Sequence, residues 1–308
     1  MTTIALMSRR FSLAPLKPFI EARLPGILVL DWQDDSAREA EVVVCWDPPE
    51  GVWNDYPNVR LIHSIGAGVN FIVSDPSLPK VPVCRIVNPD LVRQMVEYVT
   101  WSVLYFYRRF DLAMQGKRET RWTRVDSIAP GQYKVGVMGL GALGMQVATH
   151  LVSSGFEVRG WARSEKILPG VAQYYGPDRL MAFCDGLDVL ICLLPLTDAT
   201  RGILCETTFS ALSAGGALVH CGRGEHLVEP DLVYALRSGK LRGAVVDVFE
   251  AEPLPGDSPL WAEPNLVITP HMAAVASFEL IAQQIAHNAA QLDAGGSLAN
   301  TVDVSAGY

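Results

Sequence analysis

The chain has 308 residues and a formal net charge of −8, and 49% of its residues are hydrophobic while 19% are charged. The length predicts two domains of ordinary size, and the composition excludes a disordered or fibrous protein. The negative charge makes nonspecific binding to nucleic acid or to an anionic membrane surface unfavourable.

The N-terminal sequence MTTIALMSRR lacks the apolar core of a signal peptide. No stretch offers the roughly 18 apolar residues that a membrane span needs. None of the six cysteines forms a CxxC pair or joins a histidine at metal-ligand spacing, so we expect reduced, buried thiols and no metal. These features predict a cytoplasmic protein with no membrane or nucleic-acid partner.

Short strand-like segments alternate with longer helical patterns from the N-terminus onward, which is typical of parallel sheets built from βαβ units. In the first third of the chain the candidate strands are TIALM, GILVLD, EVVVC, VRLIHSI and VPVC. A long helical pattern follows from Asp90 to Met114, and a polar segment then extends to Tyr133.

A second series of candidate strands begins at Lys134: KVGVM, FEVRGW, LDVLICLL, GALVHC, GAVVDVF and LVITP. Six such strands with intervening helices make a complete doubly wound dinucleotide-binding sheet. The last helical pattern, from Ala276 to Gly296, has no strands of its own, so we expect it to pack on the first domain.

We therefore predict an α/β protein with two Rossmann-like domains, each a doubly wound parallel sheet. The substrate-binding, flavodoxin-like domain would be discontinuous and comprise residues 1–98 and 279–308. The dinucleotide-binding domain would comprise residues 99–278, and the active site would lie in the cleft between the two domains.

The segment VGVMGLGALG follows a predicted strand and opens a helical pattern, with Gly139, Gly141 and Gly144 in GxGxxG register. Such glycines allow a tight turn, a close approach of the backbone to a pyrophosphate, and close packing of helix on strand. The motif alone is weak, but it lies within a complete series of strands. We assign the turn to cofactor binding, with the residues Gly139, Leu140, Gly141, Ala142, Leu143 and Gly144.

The strand FEVRGW would end in an acid if the cofactor were NAD, because that acid accepts the ribose hydroxyls. No Asp or Glu occurs from Val158 to Ser164, and the strand leads into Ala162, Arg163, Ser164 and Lys166. A cationic, hydroxyl-bearing loop suits a 2′-phosphate, so we predict that NADPH is preferred and that NAD is possible. The alternative is that Arg163 and Lys166 belong to an ordinary solvated loop.

Three side chains that suit 2-oxo acid chemistry follow predicted strands: Arg223 in GRGEH, Glu252 in VFEAEP and His271 in TPHMAA. The carboxyl ends of strands in an open α/β sheet converge on the ligand crevice. A guanidinium can hold the substrate carboxylate, and a histidine can protonate the keto oxygen with a carboxylate as its partner. Each residue alone would be ordinary, and their co-occurrence predicts a catalytic set.

The motifs GLGALG, LLPLTDATRGIL, GRGEHLVEPDLVYALRSGKLRGAVVDVFEAEPLP and TPHMAAVA resemble the D-isomer-specific 2-hydroxyacid dehydrogenases. The resemblance extends to SIGAGVN, YFYRRFD, WARSEK, DSPLW and the terminal VDVSAGY. It implies an NADPH-dependent reductase of small 2-oxo acids that converts glyoxylate to glycolate and hydroxypyruvate to glycerate. Arg223 would bind the substrate, His271 would be the acid/base, and Glu252 would be its partner.

The resemblance also implies further contacts. Asp247 would lie near the nicotinamide amide, and the substrate carboxylate would bind the backbone around Ala67, Gly68 and Val69. Trp46 would be either a wall of the substrate pocket or a core tryptophan. The remaining implied cofactor contacts are Leu194, Pro195, Thr200, Cys221, Gly222, His271 and Ala273.

The resemblance implies a homodimer as well. An aromatic stripe suits packing in the region that the family uses for dimerisation, and Trp122 would reach toward the partner's site. The stripe comprises Trp101, Tyr105, Phe106 and Phe110.

One departure from the family pattern lies just before the arginine. Where the family commonly has Asn followed by two residues and Arg-Gly, this chain has His220, Cys221 and Gly222 before Arg223. We interpret the glycines beside Arg223 as keeping the backbone close to the nicotinamide end of the cofactor. Two alternatives stay open: a reductase of larger 2-oxo acids, and a dinucleotide-sensing interaction protein with weak catalysis.

Overall fold

The structure is a computed structural model that describes residues 3–122 and 124–304. Contacts divide the chain into two units, Met1–Leu91 with Val275–Tyr308, and Val92–Ala274. Relative to the predicted boundaries, residues 92–98 fall in the second unit and residues 275–278 in the first. The first two residues of MTTIALMSRR and the last four of VDVSAGY lie outside the described residues.

The first unit is built on a parallel sheet whose described strands have the order β2-β1-β3-β4-β5. Its central strands are β-branched and apolar on both faces, and Val42, Val43 and Val44 are fully buried, as expected for a parallel sheet covered on both sides. The five strands predicted from the sequence are all present. The elements are β1 (Thr3–Ser8), α1 (Lys17–Glu21), β2 (Leu28–Asp31), β3 (Val42–Trp46), β4 (Leu61–Ser64), α2 (Asn70–Val73) and β5 (Val83–Cys84).

The long helical pattern after β5 forms two helices, α3 (Pro89–Tyr107) and α4 (Phe110–Arg118), instead of the single one that the pattern suggests. Arg109 adopts a left-handed backbone conformation with φ of 61°. A residue in this conformation interrupts the helix, and the apolar periodicity does not show it.

The second unit contains a parallel sheet whose described strands have the order β12-β11-β10-β9-β6-β7-β8. The strand order reverses between β6 and β9, and ligands of open α/β sheets bind at such a point. The elements are β6 (Lys134–Met138), α5 (Ala142–Ser153), β7 (Glu157–Ala162), β8 (Val171–Tyr175), α6 (Leu180–Cys184), β9 (Val189–Cys192), α7 (Glu206–Ala211), β10 (Gly216–His220), α8 (Glu229–Arg237), β11 (Leu241–Val246) and β12 (Leu266–Ile268).

The six strands predicted for this sheet are present, but the prediction of six was wrong because β8 makes a seventh. Strand β8 has the sequence VAQYY and lies at the edge of the sheet, where most of its side chains are partly or fully exposed. An edge strand of this kind has no long buried β-branched run, so hydrophobic pattern does not reveal it.

The last helix, α9 (Phe278–Ala294), belongs to the first unit and contacts α1 and β4. The Ser277 hydroxyl accepts a hydrogen bond from the Leu280 N–H at its start, and Gly295 ends it in the left-handed conformation. Its buried residues Ile281, Ile285 and Ala289 recur every four positions and form its packing face. No described helix is both long enough and apolar enough to cross a membrane.

Candidate active site

The glycine turn connects β6 to α5 at the point where the strand order reverses. Gly139 has φ of +98°, and a Cβ there would lie 2.7 Å from the Leu193 carbonyl oxygen. A Cβ on Gly144 would overlap the carbonyl oxygen of Gly139, so this glycine allows α5 to pack closely on its strand. A Cβ on Gly141 would meet nothing within 4 Å. The N-terminus of α5 is therefore open to a ligand, and it fits a pyrophosphate.

The three apolar residues between the glycines of the turn have different environments. The side chain of Leu140 is buried, and a Cβ on Gly160 would lie 2.7 Å from its Cδ1 atom. Ala142 is exposed and Leu143 is partly buried. At Leu140, a ligand can therefore reach the backbone but not the side chain, whereas the side chain of Ala142 lies at the surface of the turn.

Strand β7 ends at the buried Ala162 and leads into an exposed loop. Arg163, Ser164 and Lys166 are all exposed there. The one acid among them is Glu165, which also lies on the surface beyond the strand end. The loop therefore exposes two cationic side chains and one hydroxyl at the end of β7, the strand beside β6.

Strand β10 delivers Arg223, which is partly buried. Its Nη1 donates a hydrogen bond to the Gly222 carbonyl oxygen at 2.7 Å. A Cβ on Gly224 would overlap the backbone of Phe249 and Glu250, and one on Gly222 would lie 2.8 Å from His226 Nδ1. The protein's own packing therefore requires both glycines, and the expected closeness of this backbone to the nicotinamide stays a prediction.

His271 and Glu252 form a hydrogen-bonded pair across two strand-end loops. His271 Nδ1 lies 2.9 Å from Glu252 Oε2, and the histidine and glutamate side chains are 34% and 19% exposed. The second carboxylate oxygen of Glu252 accepts a hydrogen bond from the Phe249 N–H at 2.9 Å. Both glutamate oxygens are thereby engaged, and the imidazole is held by one specified nitrogen.

Asp247 is buried and fastens the loop that carries His271. Its carboxylate accepts hydrogen bonds from the N–H groups of Met272 and Ala273, each at 2.9 Å, and from the Thr269 hydroxyl at 2.6 Å. Its carbonyl oxygen accepts the N–H of His271 at 2.8 Å. Burial raises the pKa of Asp247, while these hydrogen bonds act in the opposite direction. The sequence predicted a cofactor contact at Asp247 and missed this anchoring role.

The loop after β9 holds the residues implied to contact the cofactor there. The Thr200 hydroxyl donates to the Pro195 carbonyl oxygen at 2.9 Å and accepts the Thr197 N–H at 2.9 Å. Leu194 is buried. Thr200 thus shapes the loop that presents Pro195.

The six cysteines are free, and five of them are buried. Burial raises the pKa of Cys221 well above its ordinary value, so its thiol is uncharged at neutral pH. One Cys/His group among the described residues has ligand atoms all within 4.8 Å of one another, namely Cys192, His220 and His226. Sequence spacing does not reveal this group, because the fold brings β9 and the end of β10 together.

In the first unit, Trp46 and the SIGAGVN loop lie together at the carboxyl ends of β3 and β4. A Cβ on Gly66 would lie 2.6 Å from the indole of Trp46, whose ring is T-shaped against Phe71 with centroids 6.3 Å apart. The Ser64 hydroxyl donates to the Gly68 carbonyl oxygen at 3.1 Å. Ala67 and Gly68 are partly exposed, whereas Val69 is buried. The backbone of Ala67 and Gly68 is therefore on the surface at the end of this sheet.

Residues 100–273 match the family model for the NAD binding domain of D-isomer specific 2-hydroxyacid dehydrogenases. The chain belongs to this family. The family suggested by the sequence motifs is confirmed. The predicted fold of two Rossmann-like domains and the assignment to the NAD(P)-dependent 2-hydroxyacid dehydrogenases are confirmed as well.

Three relatives illustrate how far the family likeness extends. Glyoxylate/hydroxypyruvate reductase A of Serratia proteamaculans is 38% identical over 295 residues, which are 94% of this chain and 94% of the relative. A family member from Xanthobacter autotrophicus Py2, in complex with NADPH and MES, has a TM-score of 0.91 at 35% identity over 100% of this chain and 99% of that one. An NADPH-dependent glyoxylate/hydroxypyruvate reductase from Sinorhizobium meliloti, in complex with NADP and sulfate, has a TM-score of 0.90 at 32% identity over 100% of both chains.

The aromatic stripe of this family member differs from the packing role that was expected. Phe106 is fully buried, but Trp101 is 48% exposed and Phe110 is 54% exposed. Trp122 is 95% exposed. Only part of the stripe is therefore used in the core of its own unit.

Proposed function

We propose that the protein uses NADPH to reduce small 2-oxo acids, converting glyoxylate to glycolate and hydroxypyruvate to glycerate. The observation that carries this proposal is the 2.9 Å pair between His271 Nδ1 and Glu252 Oε2, on loops that follow β12 and β11. The arginine loop lies against the same segment, because Gly224 packs on the backbone of Phe249 and Glu250. This contact supports a site in which Arg223 is the anion clamp and His271 is the proton donor.

The three side chains have complementary roles in this proposal. Arg223 holds the substrate carboxylate, or the carboxylate and the keto oxygen together, through charge-assisted hydrogen bonds. His271 donates its Nε2 proton to the keto oxygen as general acid. Glu252 accepts the Nδ1 hydrogen bond and so fixes which ring nitrogen faces the substrate.

The open turn at Gly141 and the neighbouring strand-end loops suit a bound dinucleotide. When bound, NADPH supplies the hydride that adds to C2 of the oxo acid. Buried Asp247 keeps the His271 loop in place beneath this region through its three hydrogen bonds. The proposed holding residues are Gly139 to Gly144, Ala162, Arg163, Ser164, Lys166, Leu194, Pro195, Thr200, Cys221, Gly222, Asp247, His271 and Ala273.

The preference for NADPH rests on the loop after β7. Arg163, Ser164 and Lys166 are exposed there and suit a 2′-phosphate, and no carboxylate lies at the end of the strand. Support also comes from the relatives from Xanthobacter and Sinorhizobium, whose structures contain NADPH and NADP.

Substrate-binding residues are also proposed within the first unit. The partly exposed backbone of Ala67 and Gly68 offers N–H groups to a carboxylate, with buried Val69 ending the segment. Trp46, which packs between Gly66 and Phe71, would limit the size of the group attached to the keto carbon of the substrate.

Two further proposals concern the setting in which the enzyme works. The exposed Trp101, Phe110 and Met114 form apolar surface on α3 and α4, which supports a homodimer through this face. The free cysteines support a cytoplasmic location, where thiols stay reduced. Light scattering at several protein concentrations would measure the mass of the assembly.

The test of the function is the initial rate of NADPH oxidation with glyoxylate, hydroxypyruvate, pyruvate and phenylpyruvate, repeated with NADH. We expect NADPH with the two small polar acids to give the highest kcat/KM. A higher kcat/KM with phenylpyruvate would transfer the assignment to larger 2-oxo acids. Tight NADPH binding without turnover of any acid would refute the reductase proposal.

A further inference from the structure

Two buried histidines bracket the backbone of Arg223. His220 Nε2 donates a hydrogen bond to the Arg223 carbonyl oxygen at 2.8 Å, and the Arg223 N–H donates to His226 Nδ1 at 3.0 Å. Both histidines are fully buried, and their rings stand edge to face with centroids 5.7 Å apart. The peptide groups on both sides of the arginine are therefore tied to imidazole rings.

The hydrogen bonds of His226 require a neutral ring, and burial favours the neutral form of His220. His226 Nδ1 accepts from Arg223, while its Nε2 donates to the Pro195 carbonyl oxygen at 3.2 Å. Burial lowers the pKa of His220 to about 3 and that of His226 to about 4. Each ring thus carries its proton on Nε2. His226 uses both ring nitrogens, whereas the buried Nδ1 of His220 has no hydrogen-bond partner among the described residues.

The pair also connects two loops of the second unit. The Pro195 carbonyl oxygen that receives His226 belongs to the loop shaped by Thr200, which donates to the same oxygen. The His226 N–H returns to the Arg223 carbonyl oxygen at 3.0 Å, so this oxygen accepts two hydrogen bonds. Arg223 is thereby fixed against the loop after β9 as well as against its own turn.

We propose that His220 and His226 are positioning residues, which hold the backbone of Arg223 so that its guanidinium meets the substrate carboxylate in one orientation. This inference rests on the proposed function, because it assigns the carboxylate to Arg223. It also gives a role to His220, which stands where the family commonly has asparagine. Side-chain donation to the Arg223 carbonyl oxygen is what this residue contributes.

A metal ion held by Cys192, His220 and His226 is the competing explanation for this cluster. Both nitrogens of His226 and the Nε2 of His220 are already engaged in hydrogen bonds with protein groups. Burial raises the pKa of the Cys192 thiol to about 12, which disfavours the thiolate that a metal needs. The hydrogen-bonding role therefore accounts for more of the observed contacts.

The test is a double-mutant cycle on the full-length enzyme, with KM for glyoxylate as the readout. His220→Leu and His226→Leu are each combined with Arg223→Ala, and His220→Gln and His226→Asn restore a donor or an acceptor. Phe183→Leu is the control, because Phe183 is fully buried on α6 and contacts Tyr174 away from the arginine loop. Thermal melting identifies variants that fail to fold.

We expect each Leu substitution to raise KM about tenfold in the wild-type background, as loss of a buried hydrogen bond would. In the Arg223→Ala background the same substitutions should raise KM by less than about twofold, because no guanidinium remains to be oriented. The Gln and Asn variants should recover most of the loss. The control should lower the melting temperature and leave KM unchanged.

Fully additive effects in the two backgrounds would show that the histidines only stabilise the fold, and would overturn the inference. One zinc ion per purified chain, lost on Cys192→Ser, would overturn it in favour of a metal site. If Arg223→Ala leaves KM unchanged, the proposed role of Arg223 in binding the substrate is wrong, whatever the histidine variants show. Should His226→Leu not fold, Gly222→Ala replaces it, since its Cβ would lie 2.8 Å from His226 Nδ1 and displace that ring; an unchanged Kd for NADPH then separates this effect from the cofactor contact proposed for Gly222.

Discussion

Glu252→Gln is the substitution that most directly tests the proton donor, because it keeps the size of the side chain and removes its charge. The two oxygens of Glu252 accept from His271 Nδ1 and from the Phe249 N–H, both at 2.9 Å. A glutamine has one carbonyl oxygen and one NH2 group, so it can accept only one of these hydrogen bonds. Either the Phe249 N–H loses its acceptor, or the NH2 group of the glutamine faces His271 Nδ1, which then cannot carry a proton.

The magnitude follows from these two outcomes. Leaving a partly buried donor without an acceptor costs about 1 to 3 kcal/mol, which is about 5- to 150-fold in rate if it falls on the transition state. An NH2 group facing Nδ1 instead removes the carboxylate that balances the positive charge of the protonated ring. We therefore expect kcat to fall about 10- to 100-fold, with little change in the Kd for NADPH.

The assay compares single-turnover NADPH oxidation in Glu252→Gln and in the matched variant Glu250→Gln. Glu250 is an exposed acid two residues earlier on the same loop, so its substitution removes the same charge without the histidine contact. A single-turnover rate constant within twofold of the wild type for Glu252→Gln would refute the reasoning. So would an equal loss in both variants, since it would trace the effect to loop charge.

Three further predictions concern the cofactor, the turn and stability. Arg163→Asp places an acid just after β7, and we expect the ratio of kcat/KM with NADPH to that with NADH to fall about tenfold or more; an unchanged ratio would mean that the loop is only solvated. Gly224→Ala should abolish activity and lower the melting temperature, because its Cβ would overlap the backbone of Phe249 and Glu250, while Gly256→Ala, with open space around it, should not. The third prediction concerns the buried histidines His63, His220 and His226. Burial lowers their pKa values to about 4, 3 and 4, so below pH 6.5 the unfolded chain binds protons that the folded chain excludes. The free energy of unfolding should therefore decrease as the pH is lowered, by about 1.4 kcal/mol per pH unit for each histidine. A urea midpoint that does not change between pH 6.5 and 5 would contradict this prediction.

The strands could be predicted from the sequence because a parallel sheet buried on both faces requires nearly continuous apolar runs, as in Val42 to Val44. Strand β8 could not be, since an edge strand with exposed side chains carries no such signal. The left-handed Arg109 was also invisible, because a backbone angle that divides α3 from α4 does not depend on side-chain hydrophobicity.

Part of the candidate site could be predicted from the sequence and part could not. Arg223, Glu252 and His271 were predicted because each follows a strand, and strand ends converge by topology alone. The anchoring of the His271 loop by Asp247 and the imidazole pair around Arg223 depend on hydrogen bonds between residues that pattern treats as independent. The packing of Gly224 on the Phe249 backbone was missed for a related reason, because nothing in the sequence pattern places these two segments side by side.

The contact between Gly224 and the Phe249–Glu250 backbone has a consequence for how substrate range can change in this protein. The segment that bears Arg223 and the segment that leads to Glu252 meet at Gly224 without room for a methyl group, so a larger residue at this position would displace the other segment. Laboratory evolution that changes the shape of one segment here should therefore require a compensating substitution in the other.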